Sequence, residues 1–543
     1  MIKSSLLVKN KSGDFFMSSY FKRAVIGFVA MLTLMMLCGI RVATVATDEK
    51  LMTAGTNQSK RKVVISERRG LILDCNGALL TDSEFIDVTL VFPNDQGAMV
   101  LQELLFGNEL KTALNKLKSG NTVLVNKKYE KDSEGAVSIE IPKRYSGSLT
   151  HIIGYVNSEG HGVSGIEKGL DSVLFCDNSI SISYEMDSTG RMLQGAGYSI
   201  DYGQTDSFVK LTVDKEIQNI LESAMFNVSK GAAVIVDAKS GKIKAMVSRP
   251  DYDPDNLADA LNDENAPFIN RALYSYNVGS VFKPCIAAAA IENGKQNYQF
   301  NCTGVFSFSG LDFKCHKRQG HSTLGLKSAI SESCNTYFYS LGLELGGEAV
   351  YKAAQNFRFS QPLDLGGGII SSAGSMPNLS TLKTSPAALI NLSIGQGDLM
   401  LSPVAISLMY CAIANGGKYY MPSIIEGVSQ NGVYTPYESL PPTLAIEKET
   451  ANTLKEYLKS TLLEGTGSAA YNEGISAGGK TGTAQTGWIE DGRNILNGWF
   501  CGFYEGVNTD YAIVILKEDV RSGSYDCAPV FKEITMKMFN AGY

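Results

Sequence analysis

Apolar residues follow three different rhythms along this chain. Ala24–Ile40 is an uncharged, mostly apolar run, and Val42–Ala46 extends it beyond Arg41. A stretch of that length spans a bilayer with modest tilt. The rhythm then shortens. Val63–Leu73 and Ile86–Phe92 read as strands, Ala98–Lys118 as a helical stretch broken at Gly107, and the polar, glycine-containing Ser179–Gln204 as a connector. From Phe208 onward, Gly231–Val236 and Lys242–Val247 form a hairpin pattern around Lys239-Ser240-Gly241. Trp499–Tyr504 and Tyr511–Lys517 read as strands and Pro529–Phe539 as a closing helix. Between them lie a helix over Ser280–Asn293, stopped at Asn293-Gly294, and two helical stretches, Leu324–Ser331 and Thr336–Leu343. Strands at both ends with helices between predict an α+β fold, one mixed or antiparallel sheet with flanking helices. The expected boundaries are 1–23 before the apolar run, 24–46 for a membrane anchor, 47–205 for a small mixed domain and 206–543 for the principal domain.

Composition mainly excludes. A chain of 543 residues with 44% hydrophobic and 19% charged positions has room for two or three domains with ordinary cores. A net charge of −6 argues against a nucleic-acid partner, and no long basic run opposes that. Only four histidines occur, and no Gly-x-Ser-x-Gly elbow is present, which disfavours a Ser-His-Asp hydrolase. Neither Cys-x-x-Cys nor His-Glu-x-x-His appears, so no metal and no cofactor is expected.

Candidate chemistry sits in three short motifs in a fixed order: Ser280-Val281-Phe282-Lys283, Ser333-Cys334-Asn335 and Lys480-Thr481-Gly482. The first type alone is weak, since Ser19 and Lys22 repeat its spacing beside the apolar run. Together they make sense as one device. A serine hydroxyl is a poor nucleophile at neutral pH and needs a positioned base. On a helix opened by Ser280, Lys283 lies over the same face, and burial or a nearby cation such as Lys480 would lower its pKa. Ser333 can relay a proton to a leaving amine, and Asn335 can hold a substrate amide and the Lys283 head. The Lys480 ammonium and the Thr481 and Thr483 hydroxyls suit a carboxylate, while Gly482 leaves room for an extended peptide along an edge strand. The backbone N–H groups of Ser280 and Thr483 are candidates for an oxyanion hole.

With these residues in hand, the chain resembles a class B penicillin-binding protein, a membrane-anchored peptidoglycan DD-transpeptidase. The likeness extends to Arg69–Asp74 with Asn76-Gly77, to His151–Val156, to Gly165–Lys168 with Asp171, and to Leu211–Asp214 with Gln218. It continues through Asn270-Arg271-Ala272, Gly395-Gln396-Gly397, Ala414–Gly417 and Gly465-Thr466-Gly467. Cys75 departs from the pattern, because relatives usually carry arginine there. The resemblance implies Ser280 as acylated nucleophile, Lys283 as base, Ser333 and Asn335 as the second motif, and Lys480 to Thr483 as the third. It also implies peptidoglycan stem peptides as substrate, β-lactams as acylating inhibitors, and a SEDS-family glycosyltransferase as membrane partner. Two other readings use the same trio: a β-lactam-hydrolysing or β-lactam-sensing protein, and a catalytically silent cell-wall scaffold. Hydrolysis needs a water-activating base, for which the sequence offers no clear candidate. A scaffold has no use for a base beside a serine.

The N-terminus and the cysteines complete the reading. Lys3, Lys9, Lys11, Lys22 and Arg23 precede the apolar run against one acid, Asp14, so the N-terminus is expected in the cytoplasm and the large domain outside it. A cleaved signal peptide is the alternative, with Thr44-Val45-Ala46 as its site; a lipid anchor at Cys38 is disfavoured by Leu37 before it. Among ten cysteines, Cys302 and Cys315 are the candidate disulfide pair, with two unpaired thiols as the equal alternative. Cys334 reads as a packing residue.

Overall fold

The run Gly231–Asp237 is apolar at nearly every position, the mark of a strand covered on both faces. The computed structural model, which describes residues 7–9, 15–17, 19–50 and 59–543, bears this out. Five strands lie in the order Ile243–Arg249, Gly231–Asp237, Asp510–Lys517, Arg493–Glu505, Ala477–Glu490, every neighbouring pair antiparallel. Successive side chains of a strand point to opposite faces, so each strand supplies two cores. Ala232, Val234, Val236, Trp499, Val514 and Leu516 enter the larger core with the helix Pro403–Ala414, which is buried throughout. Ala233, Ile235, Phe500, Ile513 and Ile515 enter the other, against helices Lys215–Ala224 and Ala528–Asn540. The expected α+β architecture is what forms.

The chain divides into two compact units, and both are interleaved in sequence. The larger holds 67–86, 142–178 and 204–543; the smaller holds the chain up to Ser66 with 87–141 and 179–203. Within the larger unit, two of the segments singled out in the sequence, Arg69–Asp74 and Gly165–Lys168 with Asp171, meet at one buried carboxylate, joined there by Arg144. Glu167 receives Arg69 Nε at 2.9 Å and Arg144 Nε at 2.8 Å; Arg69 also reaches Asp171 at 2.8 Å, and Arg144 reaches Asp82 at 2.6 Å. Glu167 is fully buried. Cys75 lies close by in sequence, half-buried with its sulfur 3.8 Å from Asp214 and 3.7 Å from Lys244.

One expectation needs correction. Ser179–Gln204 is no mere connector: Phe175–Glu185 and Tyr198–Asp201 are strands paired antiparallel, with Ile180, Ile182 and Tyr184 buried. The alternation Ser-Ile-Ser-Ile-Ser-Tyr carries a period of two that its overall polarity masks. The stretch Ala98–Lys118 is broken next to Gly107, as expected, into two helices, Asp95–Leu104 and Gly107–Lys118, the first capped by the Asn94 side chain on the Gly97 N–H. Ser19–Thr47 forms one helix, long and apolar enough to cross a membrane.

Candidate active site

Ser280 does not open the α-helix. It sits in a 3₁₀ turn, Gly279–Phe282, and the α-helix runs from Lys283 to Glu292. Gly279 has φ of +69°, a conformation that glycine adopts without strain, and its N–H donates to Gly395 O at 2.8 Å. A Cβ on Gly395 would stand 2.0 Å from Gly279 O, so the segment Gly395-Gln396-Gly397 is glycine-bearing because it lies against this turn. Tyr410 donates from its hydroxyl to Val281 O at 3.0 Å, and Trp499 from its indole to Asn277 O at 2.8 Å. The turn is held from three sides, and Ser280 is left half-buried, with no side-chain hydrogen bond among the described residues.

Lys283 is fully buried, and its ammonium is directed to the second motif. It donates to Ser333 O at 2.7 Å, to Asn335 Oδ1 at 2.8 Å and to Ser333 Oγ at 3.2 Å, and lies 5.3 Å from the centre of the Phe338 ring. Burial brings its pKa down to about 7. The local fold explains how Ser333 and Asn335 reach it together. Helix Leu326–Ser331 ends with the Ser333 N–H on Ile330 O and the Cys334 N–H on Ala329 O, the paired bonds of a Schellman motif. The left-handed position of that motif is Ser333 itself, at φ +55°, where glycine is the usual residue. The chain reverses there and begins the next helix, Asn335–Asn356, at once.

The third motif lies on the outermost strand of the sheet, Ala477–Glu490. Lys480 is fully buried and donates to Thr466 Oγ1 and to Thr481 O, each at 3.2 Å. Burial first, and the charge of Lys283 second, hold its pKa well below the usual lysine value. Thr481 Oγ1 is 3.1 Å from the same Thr466 hydroxyl, and Thr483, exposed, accepts the Gly523 N–H at 3.1 Å. Gly482 also serves the serine turn. A Cβ there would meet Val281 Cγ1 at 3.0 Å and Val278 O at 3.1 Å, so its missing side chain lets the turn sit against the strand.

Sequence reasoning quoted Thr466 only as part of a block and missed its place. Besides Lys480 and Thr481, it takes Ser524 Oγ on its carbonyl at 2.8 Å and donates its own N–H to Ser331 O at 3.0 Å. It thereby ties the third motif to the helix that carries the second. The glycine–threonine–glycine pattern was the available signal. All ten cysteines are free, so Cys302 and Cys315 follow the unpaired alternative. Although no metal-binding spacing appears in the sequence, the fold gathers Cys302, Cys315, His321 and Cys334 beside the second motif.

Comparisons with known proteins agree with this fold. Residues 231–536 match the family described as the penicillin-binding protein transpeptidase domain. Stage V sporulation protein D of Bacillus subtilis is 28% identical over 493 residues, covering 84% of this chain and 74% of that protein. A chain from a peptidoglycan synthase complex superposes with a TM-score of 0.67 at 22% identity, covering 96% of this chain and 98% of the other. Penicillin-binding protein PBP2 of Helicobacter pylori, solved with MreC, gives 0.63 at 21%, covering 89% and 100%.

Proposed function

The chain belongs to the penicillin-binding proteins, in their class B branch, and is a serine-type peptidoglycan DD-transpeptidase; on that premise we propose that Ser280 is its acylated nucleophile and Lys283 the base. One observation carries this reading: the buried Lys283 ammonium, three residues from Ser280, is gripped by Ser333 and Asn335. With its pKa near 7, a large share of Lys283 is neutral at physiological pH and able to take a proton. Ser280 Oγ attacks the penultimate D-Ala carbonyl, and its proton passes to Lys283. The resulting oxyanion is met by the N–H groups of Ser280 and Thr483. Collapse breaks the peptide bond, and the proton returns to the departing D-Ala amine by way of Ser333 Oγ. A neighbouring stem's amine then attacks the ester and frees Ser280, which completes the cross-link.

Lys480, Thr481 and Thr483 bind the terminal carboxylate of the stem. Lys480 is held toward its neutral form by burial and by Lys283. An arriving carboxylate favours the charged form and closes a charge-assisted contact only when substrate is present. A β-lactam follows the same first step, but its amine stays tethered in the opened ring, so the adduct persists. The helix Ser19–Thr47 anchors the enzyme, with the catalytic domain outside the cytoplasm, and a SEDS-family glycosyltransferase supplies the glycan strands it cross-links. The catalytic domain is assigned to residues 206–543, after the small mixed domain 47–205.

The test is labelling with a fluorescent penicillin followed by peptide mapping. The adduct is expected on Ser280, absent in Ser280→Ala, and stable for many minutes by intact mass once free drug is removed. An adduct on another serine overturns the assignment of the nucleophile. Loss of the adduct within seconds, with excess hydrolysed drug, moves the chemistry to β-lactam hydrolysis.

A further inference from the structure

Cys302 ends the strand Gln299–Cys302, Cys315 follows the strand Leu311–Lys314, His321 precedes the strand Ser322–Gly325, and Cys334 stands between Ser333 and Asn335. Their sulfurs and one imidazole nitrogen all lie within 4.8 Å of one another. Three of the separations are close to those of a tetrahedral site. His321 Nδ1 is 3.5 Å from Cys302 Sγ and 3.6 Å from Cys315 Sγ, and Cys315 Sγ is 4.0 Å from Cys334 Sγ. Four-coordinate zinc, with Zn–S of about 2.3 Å and Zn–N of about 2.0–2.1 Å, places two sulfurs about 3.8 Å apart and sulfur and nitrogen about 3.5 Å apart.

The surroundings point to a cation as well. The backbone braces the cluster: the His321 N–H donates to Cys302 O at 3.0 Å, and the Cys315 N–H to Gly304 O at 2.9 Å. The His321 side chain is only 1% exposed, yet its Nε2 has no hydrogen-bond partner. The nearest carboxylate oxygen, on Glu332, is 3.9 Å away. Metal-bound histidines commonly turn their second nitrogen to such a carboxylate, and Thr336 Oγ1, 3.3 Å from Cys334 Sγ, is a further donor toward the ligand set. Three thiols and a buried imidazole facing one point make poor partners for one another. Deprotonated around a divalent cation, they make a closed structural site.

We propose that Cys302, Cys315, His321 and Cys334 bind one zinc ion that clamps the second motif of the active site. Cys334 is flanked by both residues that hold Lys283, so the metal fixes the reversal at Ser333 from beneath and ties it to the Gln299–Gly325 segment. The set Cys₃His is complete without water, so the ion is structural and takes no part in acyl transfer. On binding, the thiols release their protons to solvent as the Zn–S bonds form.

The full chain, purified in detergent with reductant and without chelator, is assayed for metal by mass spectrometry and titrated with Co²⁺ after chelation. About one zinc per chain is expected. Cobalt should give a thiolate charge-transfer band and the intense visible bands of four-coordinate Co²⁺, both displaced by Zn²⁺. Cys302→Ser and His321→Ala should each lose bound zinc. The wild-type cobalt spectrum decides the matter by itself if those variants do not fold. Ser280→Ala should lose penicillin labelling and keep its zinc, so failure of the catalytic assignment and failure of the metal site are told apart. Zinc-free protein without cobalt bands overturns the proposal, as does an intrachain disulfide among these cysteines in the metal-free protein.

Discussion

Lys283 concentrates most of the site's physics in one residue. Burial lowers its pKa to about 7 from 10.5, so its neutral form gains as pH rises through 7. Acylation by a β-lactam is therefore expected to climb tenfold per unit below pH 7 and level off above it. A flat profile from pH 5 to 9, by stopped-flow labelling, would remove Lys283 as base. The stability effect has the same sign. The unfolded chain binds more protons than the folded one between about pH 7 and 10.5, so the folded state gains stability as pH rises through that window. Ser333 carries a second cost. Its left-handed backbone disfavours any side chain by roughly 1–2 kcal/mol, and its Oγ offsets part of that through a 3.2 Å contact to Lys283. Ser333→Gly should melt no lower than the parent yet acylate far more slowly. A clear fall in melting temperature would show that the serine side chain, rather than its backbone, holds the turn.

Among elements, the site is a junction of three that meet through small residues: the serine turn, the helix reversal at Ser333 and the outermost strand. Gly482 admits Val281, and Gly395 admits Gly279, so side chains added at either point would push the turn off its supports. The buried network around Glu167 joins elements in another way, by charge. Removing that carboxylate leaves the largely buried Arg69 and Arg144 facing each other with reduced compensation. Loss of one member of such a group costs about 3–5 kcal/mol. Glu167→Ala should therefore lower the unfolding free energy obtained from urea denaturation by that much, and Asp82→Asn, at the edge of the network, by much less. Equal effects of the two substitutions would mean that burial at Glu167 is not what matters.

For the whole molecule, the prediction concerns sidedness. The helix Ser19–Thr47 carries Lys22 and Arg23 before its apolar stretch, behind Lys3, Lys9 and Lys11, against the single Arg41 toward its other end. Positive residues are retained in the cytoplasm, so everything after Asp48 should be digested by protease added to intact spheroplasts. Protection of the large domain would reverse the orientation.

What the sequence determined alone was a candidate chemistry and the order of its motifs. Ser280, Lys283, Ser333, Asn335 and Lys480 are legible because each motif is local, three or four residues whose types are dictated by the reaction. The strands Gly231–Asp237 and Asp510–Lys517 were legible for a similar reason, since burial on both faces leaves an unbroken apolar run. Tertiary structure alone decided what crosses long separations. Thr466 reaches Lys480 and Ser331, Gly482 faces Val281, and Glu167 collects Arg69 and Arg144. The four-residue cluster at Cys334 belongs to the same class: Cys302-x12-Cys315-x5-His321-x12-Cys334 has no recognisable metal spacing until two short hairpins fold it together. A periodicity reports which face of an element is covered, but not by what, and the partners that complete this site come from segments whose own patterns say nothing of one another.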